Sequence, residues 1–207
     1  MRTTLASIRG LWFGMATLVA TVASAGAASA QERTPLKPVE SFSSISDTAE
    51  RSRALFAEAA KVIQSPRCLN CHPNGDRPSQ GADMHLHVPL VMRGTDNKGG
   101  GALRCTTCHQ VTNYPQAGIP GHAMWQVAPL SMAWQTKTSG EICAQIKDKR
   151  VNGGKSLAQL HEHMAHDPLV GWAWNPGPRR TPALGTQEEF GKLIEAWIAT
   201  GAECPML

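Results

Sequence analysis

The 207-residue chain has no cluster of lysines and arginines, no strand pattern and no tandem repeat, and it carries only six cysteines. Each lack removes a class. Without a basic patch there is no electrostatic footprint for nucleic acid or for an anionic membrane surface. Without runs of strand-length alternation there is no basis for a sheet core. No acid/base dyad, nucleophile constellation or separate metal-ligand cluster stands out among the remaining residues. The one apolar run of note, Leu11 through Ala23, is too short and too rich in small residues for a stable membrane span.

That run reads instead as the middle of a secretory signal peptide over residues 1–30. Arg2 and Arg9 form the positive start, and Ala28-Ser29-Ala30 is an Ala-x-Ala cleavage site. The expected mature protein is periplasmic, has no membrane span and is one domain in size. Residues 31–46 are polar with two prolines and read as an extended N-terminal arm, leaving 47–207 as the folded domain.

What is present is a repeated motif. Cys68-Leu69-Asn70-Cys71-His72 and Cys105-Thr106-Thr107-Cys108-His109 each read Cys-x-x-Cys-His, the attachment signature of a c-type haem. One helical turn brings both thiols to one edge of a porphyrin, where they add across the vinyl groups, and swings the histidine beneath it as the proximal iron ligand. A single match is open to a zinc half-site or a thioredoxin-like pair. Two copies in an exported chain point to two covalent c-type haems. With the leader's two arginines gone, 20 Lys/Arg fall to 18 against 16 Asp/Glu. Haem propionates then bring the molecule near neutrality.

Helices are expected over Asp47–Ile63, from Thr138 to about Lys149, from Ser156 to about His166, and from Thr186 to Gly201. Asp47/Glu50, Thr138/Glu141 and Thr186/Glu189 read as capping boxes, and Gly201 is placed to end the last helix. Between them, residues 73–104 and 114–134 are rich in Gly and Pro and without period. The fold class is therefore mainly α: a compact multihaem cytochrome c-like domain with few helices and long loops wrapped around two haems. Only 32 residues separate His72 from Cys105, too few for tandem single-haem domains. By analogy with multihaem cytochromes, the two haems share one small fold and most irons take two histidines.

Six histidines remain for the distal positions. His87, in the wrap after the first motif, leads its neighbour His85. His163 and His166 share a helix face, with Asp167 at hand as a hydrogen-bond partner. His161 and His122 read as surface residues. Met84, Met92, Met124 and Met132 suit packing against a porphyrin better than ligation. Cys143 and Cys204 are left over; in an oxidising compartment they pair most simply as a disulfide, with free or intermolecular thiols as the alternative. Trp125, Trp134, Trp172 and Trp174 either stack on haem edges or fill the core, while Trp197 is core.

Several blocks recur in order: His72-Pro73-Asn74-Gly75-Asp76-Arg77-Pro78, the second motif with Gln110, Asn152-Gly153-Gly154-Lys155-Ser156, His166-Asp167-Pro168-Leu169-Val170 and Trp172-x-Trp174. Over nearly all of the mature chain this resembles a family of small exported bacterial dihaem cytochrome c-type proteins. Some members carry the label of an isoquinoline oxidoreductase subunit, which implies partnership with a molybdenum hydroxylase rather than intrinsic activity. In the family's pattern a histidine six residues before Arg-Gly matches His87, and a pair before Asp-Pro matches His163 and His166. Met84, His85 and Met124 depart from it.

The expectation is an electron carrier, or an electron-transfer subunit, serving a periplasmic or membrane-bound oxidoreductase. One rival is a haem enzyme of peroxidase type with one open iron. The other is a haem-based sensor or assembly subunit.

Overall fold

A computed structural model describes residues 34–101 and 103–206. The leader expected at 1–30 lies outside them. The domain is mainly helical, with 40% helix, six helices among the described residues and minimal sheet.

The helices start where the side chains dictate. Helix α1 (Thr48–Ile63) begins at Asp47, whose carboxylate accepts the Glu50 N–H at 2.7 Å. A single turn, α2 (Pro66–Leu69), follows with proline in the first turn, where its missing N–H costs nothing. Helices α3 (Ser139–Lys147) and α4 (Leu157–His166) open on full capping boxes, Thr138 with Glu141 and Ser156 with Gln159. The second of these boxes was not anticipated. Helix α3 also stops two residues before the expected Lys149, because Asp148 turns out of helical geometry. After the turn α5 (Pro168–Gly171), helix α6 (Gln187–Ala199) opens on the Thr186/Glu189 box. It closes in a Schellman arrangement: Gly201, at φ 104°, donates to Ile198 and Ala202 donates to Trp197.

Helix α6 is the hub, packed between α1 and α4. Its apolar stripe of Leu193, Ile194 and Trp197 meets Leu55, Phe56 and Ile63 of α1 in the core. Phe56 and Trp197 sit with ring centres 4.9 Å apart. The residues expected as an extended arm join this core: a 3-10 turn spans Val39–Phe42, and Leu36 and Phe42 are buried. Cys143 of α3 is disulfide-bonded to Cys204 beyond α6, with Cα atoms 5.6 Å apart.

The other side of the molecule is loop, as the Gly/Pro content requires. Its only described sheet is a two-residue hairpin, β1 (Ser79–Gln80) with β2 (His85–Leu86). No helix among the described residues is long and apolar enough to cross a membrane.

Candidate functional site

Both Cys-x-x-Cys-His motifs form the single turn their spacing calls for. His72 N–H donates to the Cys68 carbonyl at 3.1 Å, and His109 N–H to the Cys105 carbonyl at 2.9 Å. The first motif is built into the fold. Leu69 is in the core, and Asn70 holds the hairpin by donating to Gly81 O at 2.7 Å and accepting from Ser79 Oγ at 2.8 Å. The second motif sits nearer solvent, with Cys108 exposed.

The two histidines are held alike. His72 Nδ1–H donates to Met132 O at 2.7 Å, and its ring lies flat on Trp134, centres 3.4 Å apart and planes 3° apart. His109 Nδ1–H donates to Pro120 O at 2.7 Å and stacks on Trp125, centres 4.6 Å apart. A carbonyl only accepts, so each ring carries its proton on Nδ1 and leaves the Nε2 lone pair free. One stretch, 120–134, supplies both carbonyls and both indoles. Its Ala128 and Trp134 N–H groups also donate to Cys71 O and His72 O.

A second histidine accompanies His109. His87 lies edge-on to His109 with ring centres 6.0 Å apart. Its Nδ1–H donates to Pro89 O at 3.0 Å, and the Arg77 guanidinium grips its carbonyl with two donors, at 2.7 and 3.2 Å. His163, on α4, donates from Nδ1 to Asp167 Oδ2 at 3.0 Å. All four imidazoles thus present a free Nε2, the state in which histidine binds metals.

The other candidates are placed differently. His166 turns edge-on to His161, centres 5.7 Å apart, with Glu162 at 4.0 Å. His85 has both ring nitrogens taken, by Asp83 and Gln80. His122 accepts the Met124 N–H. Met84, Met92 and Met124 are exposed, whereas Met132 is buried beneath the first motif. Of the remaining tryptophans, Trp172 meets Trp125 edge-on at 4.9 Å, and Trp174 packs on Phe190 in the core.

A cavity of about 610 Å³ opens beside the second motif, lined by Cys105, Cys108, His109, His87 and also by Cys71 of the first. Its walls include Val91, Leu103, Ile119 and Val127. Residues 84–92 form a strap along one side. His85, His87, Val88, Pro89 and Val91 line the cavity, while Met84, Leu86, Leu90 and Met92 are exposed away from it.

The thiols are not poised as nucleophiles. Burial pushes Cys68 up to about 12 and Cys71 up to about 11, and raises Cys105 as well. A thioredoxin-like pair requires the reverse. Burial likewise pulls the His72 imidazole down to about 4, against the pull of the Met132 carbonyl, and lowers His109. Both rings are therefore neutral at neutral pH, the form in which an imidazole can ligate a metal. Among the described residues no three His, Cys, Asp or Glu side chains converge as a cage for a lone metal ion.

No family model matches the chain, and neither a curated protein nor a solved structure matches it.

Proposed function

We propose that the protein is an exported two-haem electron-transfer protein. In this reading Cys68 and Cys71 hold one porphyrin and Cys105 and Cys108 the other, with His72 and His109 as proximal ligands. The observation that carries the reading is the pairing of two anchored histidines, His109 with His87, beside the cavity of the second motif. Imidazole–metal bonds run about 2 Å, so two imidazoles on one metal have ring centres roughly 6 Å apart. The 6.0 Å between His87 and His109 fits that demand. The apolar cavity between the second motif and the strap suits a flat macrocycle, and the neutral thiols suit covalent attachment.

When bound, the haems supply one-electron iron chemistry. The chain's own residues fix ligand tautomers through main-chain carbonyls and exclude water with tryptophan and strap side chains. The shared stretch 120–134 and the appearance of Cys71 in the second motif's cavity favour short electron exchange between the two centres. His163 is the better distal candidate than His166, since Asp167 anchors its Nδ1 while His166 turns toward His161. A disulfide and thioether attachment both suit an oxidising, periplasmic compartment. The partner in this reading is a periplasmic or membrane-bound oxidoreductase, the molybdenum hydroxylase class included, in keeping with the family resemblance.

Absorption and EPR spectra of the oxidised protein, repeated with cyanide and with hydrogen peroxide, test the proposal. Two low-spin haems indifferent to both reagents are expected. A high-spin signal that shifts with either reagent would replace the carrier by a haem enzyme with an open iron.

A further inference from the structure

Four arginines line the cavity beside the second motif: Arg67, Arg104, Arg179 and Arg180. Arg104 has a counter-ion, Asp96, at 2.5 Å. The other three pair with no described carboxylate. Arg67 is only 7% exposed, and its one hydrogen bond is to Gly81 O at 3.3 Å. Arg180 donates to the carbonyls of Pro176 and Gly118. Arg179 lies at the exposed rim.

Burial pulls the pKa of Arg67 and Arg180 down, and at Arg180 the charges of Arg67 and Arg179 depress it further. Three like charges with no described carboxylate partner therefore line one cavity. The sulfurs beside Arg67 do not neutralise it, since in the two-haem reading Cys68 and Cys71 are uncharged thioethers. Like charges gathered in a partly dry site repel strongly unless an anion joins them. A small free anion would answer the charge but leave the apolar walls facing an empty space of about 610 Å³. A large apolar ring bearing carboxylates answers both, and guanidinium groups bind carboxylates with paired donors.

We propose that Arg67, Arg179 and Arg180 form a carboxylate-binding cluster for the propionates of the porphyrin held by Cys105 and Cys108. This rests on the two-haem reading. The cluster's charge also favours the reduced, less positive iron, so it sets that haem's potential above what it would be without the arginines.

The experiment is redox titration of the holoprotein and of R67Q, R179Q, R180Q and Arg180→Lys, after haem content is counted from the alkaline pyridine spectrum. The haem seated in this cavity is identified as the one whose spectrum changes in His87→Ala. Each charge-removing variant is expected to shift the reduced-to-oxidised ratio of that haem about tenfold toward the oxidised form, 59 mV for a one-electron couple. The other haem moves less, and Arg180→Lys stays near the parent. Arg179 is exposed, so R179Q provides the measurement should R67Q fail to fold. Two haems whose potentials do not move in any variant, or move equally, overturn the carboxylate cluster and leave the electron-transfer reading standing. A parent protein without haem overturns both.

Discussion

Which nitrogen of an imidazole is free depends on what holds the other. His72 and His109 are fixed by main-chain carbonyls, His87 by Pro89 O and His163 by Asp167. His166 has no comparable anchor and faces His161. Three alanine variants should therefore differ. His87→Ala and His163→Ala are each expected to turn one of the two haems high-spin and open to cyanide, while His166→Ala leaves both low-spin. EPR of the oxidised variants reads this directly, and a high-spin haem in His166→Ala alone would reverse the assignment on α4. The motif histidines could be singled out because Cys-x-x-Cys-His is a local pattern. The choice between His163 and His166 was not. Both share a helix face, and only the hydrogen bond of His163 to Asp167 and the turn of His166 toward His161 separate them. Nor was the carbonyl of Met132, sixty positions from His72, because any residue presents the same main-chain oxygen.

Among the elements, the helices were legible from their caps, since Asp47, Thr138 and Thr186 act within three residues of themselves. How closely two helices approach was not, and α4 against α6 shows why. A Cβ built on Gly191 of α6 would come within 2.6 Å of the Ala165 Cβ on α4. Helix propensity alone favours alanine over glycine by about 1 kcal/mol. Overpacking a close contact costs about 1–3 kcal/mol. Gly191→Ala is expected to lower the urea midpoint, against the propensity, and Gly191→Val to lower it further. Gly191→Ala combined with Ala165→Gly should recover most of the loss. An unchanged or raised midpoint in Gly191→Ala would mean that the two helices separate freely.

Across the whole molecule, both ends of the described chain return to α1 and α6. Near the N-terminal end, the Lys37 N–H donates to Glu58 at 3.1 Å, and Lys61 pairs with the same carboxylate at 2.8 Å. Burial raises the Glu58 pKa, but the Lys61 and Lys37 contacts outweigh it and hold the group below its ordinary 4.5. A carboxyl depressed on folding adds stability that is complete above its unfolded pKa and is lost as pH falls through the folded one. The Glu58 contribution to unfolding free energy should thus be level above about pH 5 and decline below it. Glu58→Gln should flatten that decline. At the C-terminal end, Ser52 of α1 donates to Trp197 O and accepts the Glu203 N–H, one residue before the disulfide. The Cys143–Cys204 pairing was legible by elimination once the motifs had claimed four of six cysteines, although the packing that aligns α3 with the chain end was not. It closes a loop with a sequence separation of 61, worth about 4 kcal/mol in the chain-entropy model. Cys143→Ala with Cys204→Ala is expected to lower unfolding free energy by about that amount. Neither cysteine lines the cavity, so the haem spectra should match the parent's. Denaturant unfolding followed separately by far-ultraviolet dichroism and by haem absorbance checks both halves of the prediction. Stability that falls while the spectra hold would assign the disulfide to the helical scaffold, and altered spectra in the folded variant would assign it to the haem sites as well.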